Sequence, residues 1–110
     1  MGYFRMLLLC GCMLLLAGEG IAQTSQRKAV IDLSSGDTAV MSVTLRQLRN
    51  FRNADPQAQL ELVCHGPAVK LLMTDSTFFR DQVVSLKKEQ VEFKACGNSM
   101  KRMNIKAEQL

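Results

Sequence analysis

A chain of 110 residues has room for one domain, and 47% hydrophobic with 22% charged residues excludes a disordered or collagen-like polymer. A net charge of +4, no tryptophan and a single tyrosine argue against a nucleic-acid reader. Of four cysteines, Cys10 and Cys12 lie in the leading apolar run, and the two others, Cys64 and Cys96, do not make a disulfide-rich scaffold.

The chain begins with a short stretch carrying one positive charge, Arg5, followed by an uncharged apolar run over residues 6–18. Gly20 and Ala22 then place small residues two apart, just before Gln23. This is the order of a secretory signal peptide, so residues 1–22 are predicted to be removed and 23–110 to form the domain. An apolar run that short, rising 1.5 Å per residue, does not cross about 30 Å of hydrocarbon, which leaves no stable membrane anchor after cleavage. Lipid attachment at Cys12, behind Leu9-Cys10-Gly11, is a competing reading, and retention of the whole segment is another. Export to the periplasm or the medium leaves Cys64 and Cys96 in the mature chain, as one bridge or as two thiols.

The β-branched run at residues 28–33 is predicted to be a strand, ended by the turn Ser34-Ser35-Gly36-Asp37. Asp37 is placed to cap a helix over residues 38–54. Met41, Leu45, Leu48 and Phe51 recur there on one face, and Arg46, Arg49 and Arg52 fall on another that reads as solvated. Asp55-Pro56 breaks this helix, and residues 60–65 form a second strand. Gly66-Pro67 leads into a short apolar helix over 68–73, after which Ser76 caps a helix whose Phe79, Val83 and Leu86 share a face. Val91-Glu92-Phe93-Lys94-Ala95 alternates as a third strand, and Cys96-Gly97-Asn98-Ser99 turns into a last helix through Met103. Strands alternating with helices predict an α/β fold: a flavodoxin-like parallel sheet with helices on both faces and right-handed crossovers.

In such sheets reactive groups collect at the carboxyl ends of the strands. Three loops are predicted to meet there: Ser34-Ser35-Gly36-Asp37, His65-Gly66-Pro67 and Cys96-Gly97-Asn98-Ser99. Gly36, Asp37, Gly66, Gly97, Asn98 and Ser99 are the candidate anion-attracting rim, since each loop runs into a helix start. No Lys-Ser/Thr pair marks a phosphate loop and no G-x-S-x-G marks a hydrolase elbow, and no cofactor is called for. His65, the only histidine, is either an uninvolved rim residue or an auxiliary donor or base to a neighbouring sulfur. It calls for no metal, because His65, Cys64 and Cys96 together still lack a fourth ligand. Cys96 shares its strand parity with the polar Glu92 and Lys94 and stands just before a helix start, where a thiolate is stabilised. Cys64, inside an apolar run, reads as buried filler.

The runs Leu62-Val63-Cys64-His65-Gly66-Pro67-Ala68-Val69-Lys70-Leu71-Leu72 and Val91-Glu92-Phe93-Lys94-Ala95-Cys96-Gly97-Asn98-Ser99-Met100 resemble the DsrE/DsrF-like family, and Asn50 fits its pattern. The resemblance spans residues 28–110, and Ala-Cys-x-Asn-Ser-Met is its specific part. It implies a small flavodoxin-like domain that assembles into trimers or hexamers. It further implies sulfur relay between donor and acceptor proteins, with Cys96 as the residue that accepts sulfane sulfur as a persulfide. Two departures accompany it. Relay members of this kind are cytoplasmic, and they continue for a further strand and helix beyond the position of Leu110, which would leave 23–110 incomplete and residues 91–95 as a sheet edge. A non-catalytic anion-binding or assembly module, and an inactive truncated copy, are the alternatives.

With the strand order 2-1-3 of a flavodoxin-like sheet, the second and third strands would lie about 9.6 Å apart. That exceeds the ~7 Å limit on Cα separation in a disulfide, so Cys64 and Cys96 are predicted to remain unbridged. Protein exported by a bacterial host should have an intact mass beginning at Gln23. A mass retaining Met1, or carrying lipid on Cys12, would contradict the signal-peptide assignment.

Overall fold

The computed structural model describes residues 25–75 and 78–110. The signal segment 1–22 and the Ser76 cap therefore lie outside the described residues. Three strands, β1 (Lys28–Leu33), β2 (Gln59–Cys64) and β3 (Val91–Ala95), form one fully parallel sheet. Helix α1 (Thr38–Ala54) connects β1 to β2. A 3₁₀ helix over Gly66–Leu72 and helix α2 (Arg80–Lys88) connect β2 to β3, and helix α3 (Gly97–Arg102) follows directly on Cys96. This is the expected α/β layout, with α1 and α2 built on the apolar stripes that predict them and the segment from Gly66 wound as 3₁₀ helix.

The strand order differs from the expected 2-1-3: it is β1-β2-β3, with β2 central. Right-handed crossovers that step twice in one direction must put both connecting helices on the same side of the sheet. The burial follows suit. Leu33, Leu60, Leu62, Cys64 and Val91 join Met41, Leu45, Leu48, Phe79, Val83 and Leu86 in a single core. Arg49 bridges α1 to α2 by bonding Glu89 and Ser85. Helices on both faces were expected; among the described residues they cover one. The strand positions of the other parity, Lys28, Val30, Asp32, Glu92 and Lys94, are exposed. The physical reason lies in the outward residues: charges suit strands at an edge, where they also discourage pairing with another chain. The leucines of β2 are 0–1% exposed and need a neighbour on each side.

The arginine face of α1 is not uniformly solvated. Arg46 is exposed, but Arg52 is buried. Its Nη1 donates to the carbonyls of Pro56 (2.9 Å) and Ala58 (2.7 Å), and its Nη2 to that of Gln90 (3.4 Å). Gln90 presents that carbonyl from a left-handed conformation at φ 64°, where the chain reverses between α2 and β3. The guanidinium thus ties the end of α1 to the starts of β2 and β3. A lysine offers no planar fork for three carbonyls. Arg52→Lys should cost about 1–3 kcal/mol in urea unfolding, the penalty for leaving buried acceptors unpaired. Arg46→Lys should stay within about 0.5 kcal/mol of wild type.

Candidate functional site

The carboxyl ends of the three strands bring the three predicted loops together. Gly36 lies so close to Pro67 that a Cβ at Gly36 would sit 2.9 Å from the proline Cβ, so the first two loops touch only because this residue is glycine. Gly66, at φ +51°, turns the chain out of β2 and donates its amide to Ser99 Oγ at 2.8 Å. The Cys96 amide donates to the Cys64 carbonyl at 2.9 Å, extending the β2–β3 ladder past the strand end.

Alternation across the pleat then decides which side chains meet. Cys64 and its register partner Ala95 face the helices, and Cys96, one residue on, faces the opposite, open side. The two thiols are free, as expected. The reason is not distance across an intervening strand, since β2 and β3 are neighbours, but orientation to opposite faces of the sheet.

Their electrostatics diverge accordingly. Burial pushes the Cys64 thiol up to about 12. Cys96 is drawn down to about 6 from an ordinary value of 9.0. The Ser99 amide contributes most, followed by the Ser99 hydroxyl, the His65 imidazole and the Asn98 amide. Ser99 is itself buried, and its hydroxyl oxygen accepts from the Gly66 amide. Stabilisation of the folded state by this thiolate is complete above 9.0 and is lost as the pH falls through about 6. His65 is shifted upward, first by its hydrogen bond to Asp32 and next by that to Cys96. Its Nε2 lies 3.0 Å from Asp32 Oδ1.

Cys96, His65, Gly66 and Ser99 therefore converge, and Asn98 joins them through its backbone amide. Asp37 does not join them: its Oδ1 accepts from the Ala39 amide at 2.7 Å and caps α1. Gly36 serves loop packing, Gly97 has open space around its Cα, and Asn50 is exposed on α1. Amides that could receive an external anion are directed at the protein's own sulfur. Asp32 had no place among the sequence candidates. The available signal was its position, an outward-facing acid near the end of a strand whose neighbour ends in the only histidine. Among the described residues, no three His, Cys, Asp or Glu side chains are grouped as a metal site, and no helix is long and apolar enough to cross a membrane. A recess of about 870 Å³, lined by Lys28, Arg52, Gln59 and Glu92 among others, lies at the amino ends of the strands, away from Cys96.

No family model and no curated protein matches this chain. Among solved structures it is similar to that of a protein of unknown function, MTH1491 from Methanobacterium thermoautotrophicum, with 21% identity and a TM-score of 0.73. The match covers 77% of this chain and 76% of that one. At this identity the likeness shows the fold alone.

Alkylation by iodoacetamide, followed on separate peptides, should titrate at Cys96 with a midpoint near 6 and leave Cys64 almost unlabelled at pH 8. Ser99→Ala should move the Cys96 midpoint upward by roughly one unit, the scale of a lost hydrogen bond to a charged group.

Proposed function

We propose that this protein is a thiol-based sulfur carrier of the DsrE type, in which Cys96 accepts sulfane sulfur as a persulfide. What supports this most is the contrast between the two thiols: Cys96, at an open strand end beside Ser99, His65 and Asn98, is drawn down to about 6, while burial pushes Cys64 up to about 12. A thiolate, not a thiol, is the nucleophile in such exchange. Cys96 attacks the outer sulfur of a donor persulfide R–S–SH. The bond from Cys96 to that sulfur forms as the donor's sulfur–sulfur bond breaks, and R–S⁻ leaves with the proton of the His65 imidazolium. An acceptor thiolate then attacks the outer sulfur of the Cys96 persulfide and restores the Cys96 thiolate. Each step exchanges one sulfur–sulfur bond for another, so no external oxidant is needed.

The donor and acceptor are read as proteins, and a trimer or hexamer as the working form, on the strength of the sequence resemblance. The apolar segment ahead of Gln23 supports a periplasmic or secreted carrier. An anion-binding module without covalent chemistry fits less well, because the amides at the rim already engage Cys96 and Asp37 already caps α1.

Exposure to polysulfide should add the mass of one sulfur atom to the Cys96 peptide, removable by a reducing thiol. Cys96→Ser should gain none. Equal loading of that variant, or loading at Cys64, would count against the carrier.

A further inference from the structure

We infer that Asp32 is a positioning residue, whose carboxylate at the end of β1 holds the His65 imidazolium against Cys96. Asp32 near the end of β1, His65 just past β2 and Cys96 just past β3 share the open face, so that carboxylate, imidazole and sulfur form a row across the carboxyl ends of the sheet. Asp32 Oδ1 stands 3.0 Å from His65 Nε2 although the aspartate side chain is 72% exposed. A surface carboxylate with no partner would keep its rotamers free, whereas this one is committed to a single ring nitrogen.

The other charged and polar groups facing this row have different partners. Lys94, on the same face of β3, places Nζ 3.0 Å from Glu61 and 3.5 Å from Glu92. Asp37, in the loop after β1, bonds Ala39. From α3, Ser99 and Asn98 address the Cys96 sulfur. Cys64 faces the core. Among the described residues, Asp32 is thus the carboxylate in contact with the imidazole.

The chemical consequence concerns one proton. With Nε2–H donated to Asp32, Nδ1 is the nitrogen left to receive the proton of the Cys96 thiol. The transfer converts thiol and imidazole to thiolate and imidazolium with no change in total charge. The fixed negative charge of Asp32 favours the imidazolium side, and its hydrogen bond sets the ring orientation. This is the logic of a nucleophile, a base and an orienting carboxylate. It does not depend on which electrophile the sulfur attacks, and its test uses no sulfur donor.

His65 is the only histidine, so one imidazole resonance reports its titration without ambiguity. In the intact protein, Asp32→Asn should lower the His65 midpoint. It should also slow iodoacetamide alkylation of Cys96 about twofold near pH 6, as a rise of roughly half a unit in a thiol midpoint near 6 requires. Asp32→Glu should recover most of both. In Cys96→Ser, where Asp32 is intact, the His65 midpoint should stay above its ordinary 6.5. The proposal is overturned if a folded Asp32→Asn protein keeps the wild-type His65 midpoint and alkylation profile. Should Asp32→Asn not fold, a His65 midpoint at or below 6.5 in Cys96→Ser overturns it instead.

Discussion

Because side chains alternate across a strand, the six residues of β2 determine two things at once. Leu60, Leu62 and Cys64 face the helices and demand cover on that side and strands on both flanks. By the same alternation, the residue after Cys64 emerges on the side without helices, and that residue is His65. The register Cys64↔Ala95 then sends Cys96 to the same open side. A core requirement and a chemical arrangement are therefore one constraint. Moving β3 by one residue against β2 would bury Glu92 and Lys94 and carry the Cys96 sulfur away from His65.

Two cysteines one register step apart show how far local surroundings alone can separate identical side chains. Cys64 is 0% exposed and its thiol is raised to about 12, while Cys96 is lowered to about 6. The charged form of the first would lie in a leucine-lined interior with nothing to solvate it. The charged form of the second is favoured by the Ser99 amide and hydroxyl, the His65 imidazole and the Asn98 amide. Ser99 couples the two loops involved, accepting from the Gly66 amide and favouring the charged form of Cys96, so the geometry of the second loop bears on the charge of the third. The 3₁₀ helix that begins at Gly66 anchors this arrangement through the buried Ala68, Val69 and Leu71.

The open face is polar rather than bare hydrocarbon. Lys94 pairs with Glu61 and Glu92, Asp32 pairs with His65, and Val30 is the large apolar side chain most exposed there. Parallel sheets are ordinarily covered on both faces, and here charged pairs take the place of a second helical layer among the described residues. These charges protect the edge strands from indiscriminate pairing. They also surround Cys96 with groups that either address it or are already paired.

The sequence alone determined the three strands and the two main helices, since the periods of 3.6 and 2 in apolar residues are properties of single segments. It also determined that Cys96 ends a strand on its polar parity, and that Cys64 lies within an apolar run. Strand order lay beyond it: 2-1-3 and β1-β2-β3 satisfy the same local patterns and differ only in which strands exchange hydrogen bonds. The side on which each helix lies follows from that order, as does the neighbour relation between β2 and β3. Arg52 looked like a surface charge because its carbonyl partners at Pro56, Ala58 and Gln90 assemble only when α1 folds back over the strand starts. Asp32 acquired a role for the same reason. A carboxylate and an imidazole 33 residues apart become neighbours only through the pairing of β1 with β2, and no local pattern in either segment encodes that pairing.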